Sequence, residues 1–585
     1  MSWWGSRFLV AATLLSLSLP ACAEQATDLV APEAATGFAA KPPVTTKKWM
    51  VVAANPHAAK AGDAILAKGG NAIDAMVAVQ LVLGLVEPQS SGLGGGAFAV
   101  YFDAATNKLT TFDGRETAPM QATPQLFLDG DGKPLKFFDA VIGGRSVGTP
   151  GTVALIEAMH KAHGKLPWAS LFEPAIQLAS DGFAVSPRLN SLISDSAESL
   201  FANEATRRYF FSEEGVPIFA GTILKNPEYA ATLSAIAKDG AKAFYSGDIA
   251  RDVVDTVHGA AGNPGLLSLD DLAGYKVVER EPVCVNYRQH DVCGMGPPSS
   301  GALSVGQILK MAEAYDLTAL GPQSAESWRI IGDASRLAFA DRGLYMADSD
   351  YVKMPKGLVN GDYLKDRAKL LAGPKALSRE QVIPGEPPFD HALNYAPDEA
   401  IEFPSTSHFS IADGDGNVLS MTTTIENGFG SRLMVRGFLL NNELTDFSFV
   451  PEEDGRPVAN RVEPGKRPRS SMAPTIVFKD GKPVMAVGSP GGSRIIGYVA
   501  KTIIAHLDWG MDAQQSVSLP HLINRFGTYD VEEGSAAEAL APALTDMGYK
   551  VEAKELNSGL HMIVIQDNSL EGGADPRREG LAIGQ

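Results

Sequence analysis

The residues with the most chemical potential lie in one stretch, Phe403-Pro404-Ser405-Thr406-Ser407-His408-Phe409-Ser410. A threonine hydroxyl is a weak nucleophile unless a base stands beside it. Taken alone, a hydroxyl-rich run at the start of a strand is ordinarily a cap or a solvent-facing edge. One arrangement supplies the base from the chain itself. If the Ser405–Thr406 bond is cut, Thr406 gains an α-amine with a pKa of about 7.7–8, where a general base works best near neutral pH. The cut can come from the same hydroxyl attacking the carbonyl of Ser405. The chemistry within reach is self-scission followed by acyl transfer.

Other motifs carry less. Asp413-Gly414-Asp415-Gly416-Asn417 starts like a calcium loop, but its sixth and twelfth positions are Val418 and Thr424 instead of Gly and Glu; Asp129 to Lys133 fails the same test at Pro134 and Ala140. Gly488 to Arg494 is glycine-rich without the lysine of a phosphate loop, and Gly92 to Phe98 lacks dinucleotide-binding spacing. The ten histidines form no HExxH pair. Gly144-Arg145-Ser146-Val147-Gly148 matches a nucleophile elbow, yet Thr149-Pro150-Gly151 stands where a helix must follow. Neither a metal nor a cofactor is expected.

The elements around Thr406 follow from patterning. A proline-rich loop from Ala372 to Pro404 precedes it. His408 to Ile425 then reads as strand, tight turn at Asp413 to Asn417, strand. Pro474 to Gly488 reads as two more strands around Asp480-Gly481. A helix is expected near Ile495 to Leu507, and a final strand at Met562 to Gln566. Upstream, Ala58 to Lys68 predicts a helix ended by Gly69-Gly70. Asn71 is a credible N-cap for a second helix, whose apolar run Ala75 to Val86 is a buried core helix, not a membrane span. Ser90 to Phe102 passes from a glycine loop into a strand. Val153 to Leu320 is mostly helical, and 325 to 345 is a further helix.

The chain has 585 residues and a net charge of −18 from 50 basic and 68 acidic side chains. That balance offers no footprint for phosphate backbones, so no nucleic-acid partner is expected. With 45% apolar and 20% charged residues the composition is globular. Residues 1–23 read as an export signal: Arg7 is its one charge, and Phe8 to Leu19 is apolar but short for a span. Cleavage can follow Ala23. Leu19-Pro20-Ala21-Cys22 also has the form of a lipobox, which would leave a lipid-anchored Cys22. Residues 24–48 read as a linker. Cys284 and Cys293 flank a strand-turn-strand pattern, and two readings stand: a disulfide across the hairpin, or two buried thiols.

The chain resembles the γ-glutamyltranspeptidase (glutathione hydrolase) family of N-terminal-nucleophile hydrolases. Collinear motifs carry the likeness from about Met50 to Gly584, among them GGNAIDAMVAV, GLGGGAF, DGRETAP, STSHFS, LLNNELTDF, GKRPRSSMAPTIV, GSPGGSR and DPRREGLAIG. The resemblance implies an α+β fold, a four-layer αββα sandwich built by both products of self-cleavage: a large subunit (49–405 after the linker) and a small one (406–585). It implies that Thr406 is the nucleophile, Gly491 and Gly492 the oxyanion hole, and Thr424 a support for the nucleophile. Arg115, Ser470 and Ser471 would bind the donor's α-carboxylate, and Asp446 with Glu443 its α-ammonium.

The substrates implied are glutathione and other γ-glutamyl compounds, with water or amino acids as acceptors, in the periplasm. Two departures stand out. Glu426 occupies a position that is commonly Asn; it would add a carboxylate near the ammonium or be held by Arg432 and face elsewhere. The segment from Asp446 to Ser470 is short and lacks a tyrosine, which implies a more open acyl pocket. A glutaryl- or cephalosporin-type acylase of the same family is the near alternative, and an uncleaved homologue acting as a binding protein the distant one.

Overall fold

Strands buried on both faces set the architecture. Along Met50–Ala53, Met50 and Val52 join one hydrophobic core and Val51 and Ala53 the other, as the period of two requires. Gly96–Asp103 divides the same way: Ala97, Ala99 and Tyr101 face one core, Phe98, Val100 and Phe102 the other. Such strands need a layer of structure on each side. The computed structural model, which describes Met1 and residues 37–389, 394–398, 400, 402–403 and 405–585, supplies those layers.

Counted over the two large sheets, the strands are β1 (Val44–Thr46), β2 (Met50–Ala53), β3 (Gly96–Asp103), β4 (Lys108–Gly114), β5 (Val278–Arg280), β6 (Val283–Tyr287), β7 (His290–Gly294), β8 (Ser407–Ala412), β9 (Val418–Thr424), β10 (Thr475–Lys479), β11 (Lys482–Gly488), β12 (His561–Gln566), β13 (Ser569–Ala574) and β14 (Leu581–Gly584). One sheet has the order β1-β13-β12-β11-β10-β7-β6, the other β14-β2-β8-β9-β3-β4-β5. Neighbours in both are antiparallel.

Helices α1 (Pro56–Ala67) and α2 (Ala72–Val86) cover the outer face of the second sheet through the first core. The second core fills the space between the sheets and continues under α3 (Ala325–Tyr345) and α4 (Ile495–Leu507). The result is the expected αββα sandwich. Both sheets contain strands from before and after Thr406, so the two halves share one body.

Local signals hold where they are short-range. Asn55 and Asn71 cap α1 and α2, the latter in a reciprocal capping box with Asp74. Every residue of α2 is buried. Asp413 accepts from the backbone of Asp415 and Asn417 at 2.9 Å each, so that motif is a hairpin turn. Ser146 donates to the Val141 carbonyl at 2.7 Å in a buried turn and starts no elbow. Cys284 and Cys293 are directly opposite across β6 and β7 and form a disulfide.

Other expectations change. Within the mostly helical region from residue 153, β6 and β7 are the strand-turn-strand that the two cysteines flank, and β5 is a strand the sequence reading did not include. The strand pattern does not stop at Gln566: β13 and β14 follow, and β14 pairs with β2 from the chain's beginning. Residues 37–48 are not a plain linker. Val44–Thr46 pairs with β13, and Lys47 and Lys48 donate backbone hydrogen bonds to Gln585. Main-chain donors complete a sheet edge whatever the side-chain pattern, so the apolar periodicity of this segment says nothing about it. The export signal and Cys22 lie outside the described residues. Among the described residues no helix is long and apolar enough to cross a membrane.

Candidate active site

Thr406 sits immediately before β8 and is buried. Its Oγ1 hydrogen-bonds the Ser405 carbonyl oxygen, the carbonyl it would attack in self-scission. Thr424 ends β9, the strand paired with β8, and its hydroxyl donates to the same oxygen at 3.0 Å. Thr424 in turn accepts from the Glu426 N–H at 2.8 Å. Pairing of β8 with β9 thus brings two hydroxyls, 3.3 Å apart, onto one carbonyl.

A single small cavity collects Thr406, Thr424, Arg115, Glu426, Glu443, Asp446, Ser470, Ser471 and Gly492. Of the predicted catalytic and substrate-binding residues only Gly491 does not line it. Gly491 has φ +134° and Gly492 φ +56°, a pair of left-handed conformations that side chains resist. A Cβ on Gly492 would lie 2.7 Å from the Glu402 carbonyl oxygen, and one on Gly491 2.8 Å from the Tyr498 ring. Glycine is therefore required at both positions by space as well as by φ.

Arg115 follows β4 and is fully buried, so it is no surface partner of Glu116. Its guanidinium pairs with Glu443 and, at 2.5 Å, with Asp446, and also donates to the Arg469 carbonyl at 2.9 Å. The short turn Glu443–Asp446 places both acids on one side. One oxygen of each, Glu443 Oε2 and Asp446 Oδ1, has no hydrogen-bond partner although buried. Burial pushes both carboxyls well above their usual range, against the pull of Arg115. An ammonium ligand would supply the missing donors and restore the charged forms.

Ser470 and Ser471 also line the cavity. The Ser471 hydroxyl accepts from Arg342 at 2.9 Å. Glu426 faces the cavity, and the alternative of capture by Arg432 does not occur: Arg432 bonds Asn427 and the Gly430 carbonyl. Glu426 instead accepts from the Phe403 N–H at 3.1 Å and from Asn442. Burial, reinforced by Asp446, raises its pKa well above the carboxylate range.

In the uncut chain the space around Thr406 is tight. The cavity holds only about 20 Å³, room for roughly one water molecule. Glu402 and Phe403, just before the scissile bond, form part of its lining. Beyond Phe403 lies a second cavity of about 470 Å³, largely aromatic and aliphatic, lined by Phe137, Phe447 and Phe449 among others.

Two site residues escaped the sequence reading. Arg342, on α3, pairs with Glu402 and donates to Ser300 at 2.8 Å. Its signal was available: an arginine on a helix face where its neighbours are buried. Burial and the neighbouring Arg469 lower its pKa to about 10. Glu402 has no local signal, being one acid in a proline-rich loop. Among the described residues no group of histidine, cysteine and acidic side chains is placed to hold a metal ion.

With this geometry in place, the relatives are informative. A family model described as Gamma-glutamyltranspeptidase matches residues 58–585. The chain is 38% identical over 551 residues to a glutathione hydrolase proenzyme of Bacillus subtilis (strain 168), covering 92% of both chains. It is 36% identical over 549 residues to the glutathione hydrolase proenzyme of Escherichia coli (strain K12), covering 92% of this chain and 91% of that one. Among solved structures, a cephalosporin acylase from Bacillus halodurans superposes with a TM-score of 0.82 at 26% identity, over 95% of this chain and 99% of the other.

Proposed function

Since the chain belongs to the γ-glutamyltranspeptidase family and is an enzyme of it, we propose that it cleaves γ-glutamyl amides, glutathione among them, through an ester on Thr406. Its site would work in two stages. In the first, Thr406 Oγ1 attacks the Ser405 carbonyl carbon. The peptide nitrogen leaves as the Thr406 α-amine, and water hydrolyses the resulting ester, leaving a carboxylate on Ser405. In the second, that amine takes the hydroxyl proton as Oγ1 attacks the γ-carbonyl of the donor. The developing oxyanion meets the backbone N–H groups of Gly491 and Gly492, donors of a kind worth about 3–4 kcal/mol each in a barrier. The departing amine takes the proton. Water or an amino acid then resolves the γ-glutamyl ester.

The observation that carries this reading is the hydroxyl of Thr406 resting on the carbonyl of Ser405, with Thr424 donating to the same oxygen. The unpartnered oxygens of Glu443 and Asp446 favour a donor with an α-ammonium. The cephalosporin acylase likeness keeps a glutaryl-type acylase as the second reading. Export to the periplasm is part of the proposal; the apolar leader and the Cys284–Cys293 disulfide support it.

A denaturing gel with N-terminal sequencing tests the scheme. Active protein should run as two bands, the shorter beginning at Thr406. Thr406→Ala should remain one band and be inactive. A wild type that is active uncut, or a Thr406→Ala chain that still matures, would overturn it.

A further inference from the structure

Self-scission creates a difficulty that the residues above do not solve. Before the cut, Thr406 is tethered through both of its peptide bonds. Afterwards it is a chain terminus, yet its amine and hydroxyl must stay aligned with a substrate carbonyl, where a misplacement of about 1 Å costs on the order of 10²-fold in rate. We propose that Arg578 and Lys41 are the positioning residues that hold this terminus: Arg578 grips the Thr406 carbonyl, and Lys41 holds the loop that carries Arg578. The proposal rests on Thr406 being the nucleophile.

Arg578 is buried, and its Nη1 donates to the Thr406 carbonyl oxygen at 3.1 Å. Its Nε donates to Asn557 Oδ1 at 3.1 Å, so the planar guanidinium is fixed from two directions. The bond to Thr406 lies on the far side of the residue from the bond that is cut and can survive scission. Next along β8, Ser407 donates to the buried Glu87 at 2.9 Å.

Arg578 belongs to the loop from Asp575 to Gly580, which joins β13 to β14. One end is pinned by Asp575, which accepts from the Gly559 and Leu560 N–H groups at 2.8 and 3.0 Å and pairs with Arg577 at 3.1 Å. The rest is gathered by Lys41. Its ammonium donates to three carbonyls of the loop, Asp575 at 2.7 Å, Arg578 at 2.8 Å and Gly580 at 2.5 Å. Those three bonds use all the hydrogens of a lysine ammonium. Two residues earlier, the Ala39 N–H takes a fourth carbonyl, that of Pro576, at 2.9 Å. A segment that precedes the first strand therefore sets the conformation of a loop more than 530 residues away, and through it the carbonyl of Thr406.

Lys41→Met removes the ammonium and keeps the stem; Arg578→Met does the same for the guanidinium. Each is purified, allowed to cleave to completion, and assayed per mole of cleaved Thr406 with a γ-glutamyl anilide. Each should lower kcat by about tenfold or more with KM within about twofold, because alignment is lost and the donor contacts are not. The double variant should be no slower than Arg578→Met alone, since Lys41 acts through Arg578. Lys41→Arg, which keeps a cation with several donors, should recover most of the loss.

Wild-type kcat in Lys41→Met, additive losses in the double variant, or a loss seen only in KM would each overturn the proposal. If Lys41→Met does not accumulate as soluble protein, Arg578→Met and Arg578→Lys decide it: the lysine variant should fall between wild type and methionine in kcat. A wild type that cuts itself but leaves the anilide untouched would count against the γ-glutamyl reading instead, and the same comparison then runs on the acyl anilide that the cleaved wild type does hydrolyse, a glutaryl anilide first.

Discussion

Thr406 Oγ1 and Thr424 Oγ1 lie 3.3 Å apart and converge on one acceptor, the carbonyl oxygen of Ser405. In the proposed scission the two address the same bond in different ways, Thr406 as attacker and Thr424 as hydrogen-bond donor. A donor on a carbonyl under attack stabilises the oxyanion as it forms, typically by about 3–4 kcal/mol when the site excludes water. Thr424→Val keeps the shape and loses the donor. Self-scission should slow by about 10²-fold, followed as loss of the full-length band with time. Thr424→Ser should cleave at a rate near wild type.

Glu116 gives a stability signature. Burial pushes its carboxyl from 4.5 up to about 7, with Arg115 opposing. Between those two values the folded chain holds a proton that the unfolded chain has released, so stability falls as pH rises from about 4.5 to about 7 and levels off above that. Glu116→Gln mimics the protonated form at every pH. Its melting temperature should therefore decline less than that of wild type between pH 5 and pH 8. Equal slopes would mean that Glu116 is ionised in the folded protein throughout.

The Cys284–Cys293 bridge closes a hairpin at one end of its sheet, and no predicted catalytic or substrate-binding residue lies on β6 or β7. With a sequence separation of 9 the loop-entropy model gives a contribution of about 2–3 kcal/mol. Replacing both cysteines by serine should lower the denaturant midpoint while kcat stays within about twofold. A larger loss of activity than of stability would connect the hairpin to the site through the loop after β7, where the Ser300 hydroxyl donates to the Ser470 carbonyl at 2.7 Å.

These expectations rest on features that differ in how openly the sequence displays them. Asn71 and Asp74 announce the capping box of α2 within four residues, and the Asp413 turn is equally local. Thr406, Arg115 and Asp446 became legible as a set only through the collinear motifs, because the contacts joining them span up to about 330 residues. Nothing in the run Leu581–Gly584 says that it pairs with Met50–Ala53, and nothing around Lys41 says that its ammonium is enclosed by carbonyls. Pairing across the whole chain is a property of tertiary packing, and local periodicity does not encode it. The size of the acyl space in the uncut chain was not legible for a related reason. The length of the segment after Asp446 was visible, but the space is filled by Glu402 and Phe403, which come from before the scissile bond.

On the proposed function, Asp446 should separate a γ-glutamyl donor from a glutaryl one. Its Oδ2 holds Arg115 at 2.5 Å, and its Oδ1 is buried with no partner. A γ-glutamyl donor brings an ammonium to that oxygen; a glutaryl donor brings only methylene, and the orphaned acceptor stays unsatisfied. Charge-assisted hydrogen bonds of this kind are worth about 1.5–3 kcal/mol, or roughly 10- to 10²-fold in specificity. Asp446→Asn should therefore cut kcat/KM for a γ-glutamyl anilide by that factor and change a glutaryl anilide little. The sign of the pKa agrees: burial holds the Asp446 carboxyl above its ordinary range, and an incoming ammonium would pull it back toward the charged form. If the variant loses both substrates equally, Asp446 serves Arg115 and not the ammonium. If wild type prefers the glutaryl anilide, the acylase reading replaces the γ-glutamyl one.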